Sequence, residues 1–224
     1  CSVAMGPALE GMSIECGMRA ETGAVDRIWM EDEKILFHTI GESAPAGLCG
    51  SGMIDAVRLL VEEKIITPAG RMISGMVTLT DEGKKFQLIH TDGNDAGIYI
   101  SQNDIRNLQL AKGAVCSGIM LLLESAGIKI SDVKKIYLAG ALGYYGNAES
   151  LFQTGFLPGP WREKIFKAGN TALTGAELIM LSATMRQRAE EISRNIHHLD
   201  LVSHHRFHDL FVRFMSFSQS TWHK

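Results

Sequence analysis

A short apolar run that ends in glycines, residues 134–143 (KKIYLAGALG), constrains the fold of this chain more than any other stretch. Its β-branched and aromatic residues predict a buried strand of the parallel type, and the small residues after it predict a turn. In open α/β sheets ligands bind beyond the carboxyl ends of such strands, where glycine lets the backbone approach a ligand closely. A tight connection that binds nothing would use the same residues. The candidate binding residues of this turn are Gly140, Ala141, Leu142 and Gly143.

A second glycine cluster, residues 44–52 (APAGLCGSG), leads directly into apolar residues at helical spacing. Free backbone N–H groups and the positive end of the helix dipole meet at such a helix start, which makes it suitable for an anion. The spacing is not that of a Walker A loop, and a simple Gly-Ser-Gly helix cap would also explain the residues. The candidate anion-binding residues are Gly47, Gly50, Ser51 and Gly52.

A long helix is predicted over residues 102–126, because apolar residues recur on one face and Gly127 follows. Lys112 lies inside this helix, next to Gly113. A lysine among small residues could lean towards a ligand, although a lysine that extends into solvent is commoner. Lys112 is therefore a further candidate contact.

The remaining elements form a scaffold of short strands and helices. Alternating residues around an acidic turn at 31–34 predict an antiparallel hairpin of strands 24–29 and 35–40. A third glycine turn, residues 169–176 (GNTALTGA), predicts the start of one helix that reaches about residue 194. Further short elements are predicted at 76–79, 85–90, 98–101 and 165–167 (strands), and at 148–156 (helix).

Composition excludes several classes of partner. With 224 residues, of which 46% are apolar, the chain can bury the core of one or two α/β lobes. A net charge of −3 gives no basic surface for a phosphate backbone, so we expect no nucleic acid partner. The most apolar helical segment, near residues 119–123, is shorter than the about 20 residues that a membrane span needs. We therefore expect no membrane partner and a cytoplasmic location.

The cysteines and histidines do not predict a metal centre. Cys1, Cys16, Cys49 and Cys116 are far apart, without the spacing of a zinc or iron-sulfur site. Neighbouring histidines near residues 197–208 would not face one way on a helix or strand. We expect reduced thiols, no metal ligands and no iron in this chain.

Five segments together resemble the carboxy-terminal part of the corrinoid-activating ferredoxin family, the reductive activators of corrinoid iron-sulfur proteins and of corrinoid methyltransferase systems. The match follows the order of the chain and covers most of it. The segments are residues 1–11 (CSVAMGPALEG), 47–52 (GLCGSG), 102–113 (QNDIRNLQLAKG), 138–143 (LAGALG) and 169–176.

The resemblance implies the fold and the cofactors. The fold would be an α/β lobe of the actin-like ATPase (ribonuclease H-like) type, a mixed sheet with helices on both faces. Residues 1–224 would be the C-terminal lobe of a longer protein, as a start at Cys1 without an initiator Met also indicates. Family members carry a 2Fe-2S ferredoxin domain at the amino end and Asp-x-Gly-Thr phosphate loops upstream of this region. ATP with Mg²⁺ would bind in the whole protein.

The resemblance also implies roles for the candidate residues. The turn from Gly140 to Gly143 would lie beside adenosine, the loop from Gly47 to Gly52 beside phosphate or ribose, and Lys112 would contact nucleotide. Ala141 stands where many relatives have a second glycine, so a Cβ occupies a place of close nucleotide approach.

Three functions follow as alternatives. The first is a nucleotide-responsive lobe of an ATP-dependent activator that returns Co(II) corrinoid protein to Co(I) for methyl transfer. The second is a lobe that docks the corrinoid protein, or a corrinoid methyltransferase, with little affinity for nucleotide. The third is a small-molecule kinase of the same fold, for which no catalytic residue can be named.

Overall fold

The computed structural model describes residues 1–73, 75–90, 97–140 and 146–223. The described strands form two sheets of three strands and one sheet of two strands, and the described residues also form six α-helices. Parallel and antiparallel pairs both occur. The predicted α/β class is confirmed, and the first sheet is itself mixed, because its central strand has one antiparallel and one parallel neighbour.

The predicted hairpin at the start of the chain is confirmed. Strands β1 (Ala24–Glu31) and β2 (Lys34–Thr39) pair antiparallel, and Glu31 lies opposite Lys34. Asp32 and Glu33 form the two-residue turn with φ of 48° and 59°, as turns that match the twist of a hairpin require. The short strand β3 (Gly47–Leu48) then pairs in parallel with the first residues of β1.

Helix α1 (Gly50–Glu62) packs against β1 and forms the main core with it. Its polar side chains also bind the strand: Asp55 Oδ2 accepts from the Ile28 N–H at 3.1 Å, and Arg58 Nη2 donates to the Ile28 carbonyl at 2.9 Å. Burial raises the pKa of Asp55, whose carboxyl group lies inside this contact. The helix is thereby held in a fixed orientation on the hairpin.

A second antiparallel sheet leads into the longest helix. Its strands are β4 (Thr78–Thr80), β5 (Gly83–Ile89) and β6 (Ile98–Ser101). Helix α2 (Gln102–Ser125) follows at once, because Ser101 and Asp104 form a reciprocal capping box. These elements agree with the predicted segments to within a few residues.

Helix α2 is long and apolar enough to cross a membrane by length and composition, with a mean hydropathy of 1.2 in its most apolar window. The apolar helical segment is thus longer than residues 119–123, the segment that was expected from the sequence. However, 56% of that window is buried inside the protein, and Asp104, Gln109 and Lys112 are buried on the same helix. Helix α6 (Phe207–Phe214) packs along it. Such burial is typical of a core helix.

The strand predicted within the apolar run at 134–143 is parallel, as expected, but it is not fully buried. Strands β7 (Ile136–Ala139) and β8 (Ile165–Gly169) pair in parallel. Ile136 and Leu138 pack towards helix α3 (Ala148–Gln153) and Trp161, whereas Tyr137 is 64% exposed. Only one face of this two-stranded sheet is covered in the described part of the chain, so the prediction of a buried strand was wrong.

The predicted helix after the third glycine turn is two helices. They are α4 (Thr171–Leu181) and α5 (Ala183–Asn195). Ser182 between them has an extended backbone, and its Oγ accepts the Met185 N–H at 3.3 Å. A serine in this position favours a helix cap over a helix interior, which is why the single helix breaks. None of the eleven residues of α4 is buried, although the helix is rich in leucine and methionine.

The four thiols differ in accessibility, which predicts their reactivity. Cys1 is exposed and Cys16 half-buried, whereas Cys49 and Cys116 are buried. Burial raises the pKa of Cys116 to about 12 and also raises that of Cys16. Since the thiolate is the reactive form, we expect a disulfide reagent at pH 8 to modify Cys1 rapidly, Cys16 slowly and the two buried thiols only after denaturation. Rapid modification of Cys116 in the native protein would contradict this arrangement.

Candidate functional site

The start of α1 is a helix end without a side-chain cap. Cys49 is the N-cap residue, with an extended backbone, and it makes no capping hydrogen bond. Its Sγ instead donates to the Val25 carbonyl at 3.4 Å. The first-turn residues Gly50, Ser51 and Gly52 are buried. Because the first N–H groups of a helix have no acceptor within the helix, this end presents donors and the positive end of the helix dipole.

The glycines of this loop are needed because other backbone segments run against it. A Cβ on Gly50 would lie 2.0 Å from the Leu9 carbonyl oxygen, and one on Gly52 would lie 2.1 Å from the Val25 carbonyl oxygen. A Cβ on Gly47 would lie 2.8 Å from the Cys16 carbonyl oxygen. Close packing therefore explains the glycines without a ligand.

A cavity of about 780 Å³ opens at this helix end. Of the predicted loop residues, Gly50 and Ser51 line it, and Gly47 and Gly52 do not. Leu9 and Ile40 contribute apolar wall. The volume lies within the range of small-molecule sites, so the cavity is large enough for a nucleotide.

Charged side chains from the hairpin and the loop before it form the rest of the wall. They are Glu10, Arg19, Asp26, Arg27 and His38. Asp26 Oδ1 lies 2.6 Å from His38 Nδ1, and the imidazole is nearly half exposed. Arg27 lies directly opposite His38 on the neighbouring strand.

Sequence reasoning missed these charged residues, although one signal was present. A two-residue turn at 32–33 sets the register of the hairpin, and counting back from it places Arg27 opposite His38. The sequence did not indicate that this pair would lie beside the start of α1, because that depends on the contact between β1 and α1.

Lys112 is buried, and the structure gives it partners within the protein. Its Nζ donates to the Phe214 carbonyl at 2.7 Å and to the Ser216 carbonyl at 2.8 Å. Burial lowers the pKa of the ammonium group. The side chain thus joins α2 to the end of α6 and to the residues that follow it, and Lys112 does not line the cavity. A nucleotide contact by Lys112 stays a prediction that would require the ammonium to leave these carbonyls.

The glycine turn after β7 is described only at its first residue. Gly140 has φ of +80°, which favours glycine, and no described atom lies within 4 Å of where its Cβ would be. Ala141, Leu142 and Gly143 lie outside the described residues, so their adenosine contact stays a prediction.

Metal-binding groups do not gather in the described ranges. Among those residues, no three His, Cys, Asp or Glu side chains stand close enough to hold a metal ion. The uncapped helix end is suited to a phosphate group, whereas the described part of the chain offers no carboxylate set for Mg²⁺.

Comparison with solved structures defines the fold class. A chain titled "Reductive activator for corrinoid,iron-sulfur protein" matches with a TM-score of 0.87 and 32% sequence identity, over 97% of this chain and 36% of that one. The family model described as "C-terminal domain of RACo the ASKHA domain" matches residues 1–224. The chain therefore has the actin-like, or ASKHA, fold class.

Two curated relatives carry related names. "Corrinoid activation enzyme RamQ" of Eubacterium limosum is 36% identical over 94% of this chain and 38% of its own length. "[Co(II) methylated amine-specific corrinoid protein] reductase" of Methanosarcina barkeri is 27% identical over 96% of this chain and 42% of its own length. The chain thus spans about two-fifths of the length of these relatives. It belongs to the family of C-terminal ASKHA domains of reductive corrinoid activators, and the resemblance found in the sequence is confirmed.

Proposed function

We propose that this chain is the nucleotide-responsive lobe of a reductive activator that returns a Co(II) corrinoid protein to Co(I) for methyl transfer. The observation that carries the proposal is the match along the whole chain to proteins named as corrinoid activators and reductases. The cavity at the start of α1 supports the nucleotide role, because it joins an uncapped helix end to apolar walls and to walls that carry charges of both signs.

The physical need for nucleotide lies in the reduction step. Reduction of Co(II) to Co(I) is uphill from an ordinary ferredoxin, so free energy must come from elsewhere. A nucleotide that binds one conformation of the activator more tightly than another can supply it by shifting the populations of the two. In this proposal the lobe carries that difference in affinity, and the corrinoid protein or a corrinoid methyltransferase is the partner.

Other parts of a whole activator would supply what this chain does not offer. The 2Fe-2S cluster would belong to an amino-terminal ferredoxin domain, and the Mg²⁺ ligands to phosphate loops upstream of residue 1. The residues of this chain would hold the phosphates with the N–H groups of Gly50 and Ser51 and would surround the remainder with Leu9 and Ile40. A cytoplasmic location also stays a prediction.

A docking lobe is the second candidate, and one observation favours it. Leu178, Met180 and Leu181 of α4 are exposed, and exposed apolar patches mark interaction sites. In that case this chain would bind the corrinoid protein and show little affinity for ATP.

The experiment that separates these functions is an ATP titration of the 224-residue chain, together with a phosphate-release assay. We expect binding with a dissociation constant weaker than about 1 µM, because one lobe supplies half of a cleft. We expect phosphate release at the background rate, because positioning of γ-phosphate, metal and water needs groups from both lobes. No measurable ATP binding would favour the docking lobe, and turnover of ATP would contradict the half-site argument.

A further inference from the structure

We propose that a buried water molecule joins helix α1 to helix α3, held by Asp55 Oδ1 and Ser150 Oγ. Neither residue lines the cavity at the start of α1, so the site is separate from it. The water positions α3, and with it the end of the glycine-rich segment 140–146, relative to α1. The water site does not depend on the nucleotide role, whereas its effect on ligand binding rests on that proposed function.

Asp55 has one carboxylate oxygen with a hydrogen-bond partner and one without. The residue is only 2% exposed, and its Oδ2 accepts the Ile28 N–H at 3.1 Å. Its Oδ1 is buried and has no hydrogen-bond partner among the described residues. An unpaired acceptor inside a protein costs free energy, and buried polar atoms are nearly always hydrogen-bonded to protein or to ordered water. Asp55 Oδ1 therefore requires a partner.

Ser150 on α3 presents a second buried group of the same kind. The residue is fully buried, at 0% exposure, and its Oγ also has no partner in the described part of the chain. Burial raises the pKa of Asp55, and the nearby Ser150 hydroxyl, the next largest influence, lowers it. The two side chains are thus neighbours at the contact between α1 and α3, although Oδ1 and Oγ do not bond directly.

Arg58 adds a donor on the same side of α1. It follows Asp55 by three residues, a spacing that places both side chains on one face of a helix. Its two terminal nitrogens bind the Ile28 carbonyl and Glu62, but its buried Nε has no partner among the described residues. A water molecule can accept from Nε and donate to Asp55 Oδ1 and Ser150 Oγ. Buried waters typically make about three such bonds to otherwise unsatisfied groups.

The position of the water gives it a role beyond local stability. Asp55 already binds β1 through the Ile28 N–H, and the water extends this contact to α3. Helix α3 begins two residues after Gly146, at the end of the segment 140–146. A shift of α3 therefore moves one end of the segment that is predicted to contact adenosine. Asp55 and Ser150 are in this sense positioning residues.

A crystal structure of the 224-residue chain tests the site directly. We expect a water oxygen about 2.7 to 3.2 Å from both Asp55 Oδ1 and Ser150 Oγ. A direct hydrogen bond between the two side chains would overturn the proposal, and so would a dry contact in which neither atom has a partner.

Urea unfolding of Ser150→Ala at pH 4.5 and pH 8 tests whether the two groups are coupled. Loss of the hydroxyl removes a group that favours the ionised carboxylate, so the folded pKa of Asp55 rises further and stability is lost as the pH rises through it. We expect the unfolding equilibrium constant to rise about tenfold at pH 8 and only about threefold at pH 4.5. Arg27 on β1 and Arg58 on α1 also act on Asp55, and both stay charged at the two pH values.

Two controls isolate the coupling from an ordinary loss of packing. In an Asp55→Asn background, Ser150→Ala should have the same cost at both pH values, because an amide does not titrate. Ser117→Ala is the matched variant, since Ser117 is a fully buried serine of α2 whose Oγ donates to the Gly113 carbonyl at 2.7 Å. Its cost should not change with pH. If the cost of Ser150→Ala in the parent chain were equally independent of pH, the proposed site would be wrong.

ATP titration of the folded variants tests the positioning role. Ser150→Ala should weaken ATP binding about threefold, and Ser117→Ala should leave it unchanged. Equal affinity of the parent chain and Ser150→Ala would remove the positioning role. A parent chain that binds no ATP but shows the water in its crystal structure would support the site and contradict the proposed nucleotide function.

Discussion

Gly50→Ala is expected to lower the free energy of unfolding by about 3 kcal/mol, whereas Gly175→Ala is expected to raise it by about 0.5 to 1 kcal/mol. The Cβ of the first variant would lie 2.0 Å from the Leu9 carbonyl oxygen, a backbone atom that cannot rotate away. The Cβ of the second would meet no atom within 4 Å, in the middle of α4. The same chemical change should therefore have opposite effects.

Urea unfolding of both variants, followed by far-ultraviolet circular dichroism, measures this difference. Gly52→Ala is a second variant at the helix start, because its Cβ would meet the Val25 carbonyl oxygen at 2.1 Å. If Gly50→Ala and Gly52→Ala were as stable as the parent chain, the close approach of the loop to Leu9 and Val25 would be wrong, and the glycines would need a ligand to explain them.

Lys112→Met is expected to destabilise the chain by about 2 kcal/mol. The substitution leaves the Phe214 and Ser216 carbonyls without their donor, at a cost of about 1 to 3 kcal/mol for each unsatisfied group. Part of this cost is offset, because an ammonium group no longer has to be buried. Lys129→Met, at an exposed position, is the control and should stay within about 0.5 kcal/mol of the parent.

Hydrogen exchange would locate the effect of Lys112→Met. The Phe217 N–H donates to the Pro68 carbonyl at 2.7 Å and belongs to the segment that Lys112 holds. Its exchange should accelerate more than that of amides in β1. ATP titration of the folded variant completes the test: unchanged affinity agrees with the structural role of Lys112, and a loss of affinity without loss of stability would restore the predicted nucleotide contact.

Local sequence patterns were sufficient to predict the helices and strands that form through interactions between residues close in the sequence. The hairpin was predicted from alternation around the acidic turn at 31–34, and α1 and α2 from apolar residues at helical spacing. The helix break at Ser182 also has a local cause, the capping serine. The apolar residues on both sides of it nevertheless led to the prediction of one continuous helix. When helix propensity is summed over a long stretch of sequence, the effect of a single capping residue is too small to be seen.

The site depended on contacts between distant segments, which the sequence does not display. Lys112 finds its acceptors 102 and 104 residues further along the chain, so its burial could not be inferred from Ala111 and Gly113. The glycines of the loop were predicted as an anion site or a helix cap, yet the backbone that each one meets belongs to residues 9, 16 and 25. Tyr137 was expected inside because strand sequences of this type are usually covered on both faces.

The proposed function is tested most directly in a chimera of the Eubacterium limosum relative, in which these 224 residues replace the matched segment. The chimera is incubated with a Co(II) corrinoid protein on which the parent enzyme acts, with a low-potential reductant, and with or without ATP. The visible spectrum then reports the conversion of Co(II) to Co(I). The account predicts that the chimera reduces Co(II) to Co(I) in an ATP-dependent manner. A chimera that melts cooperatively like the parent but reduces no cobalt, or reduces it equally well without ATP, would contradict a nucleotide-responsive role for this lobe.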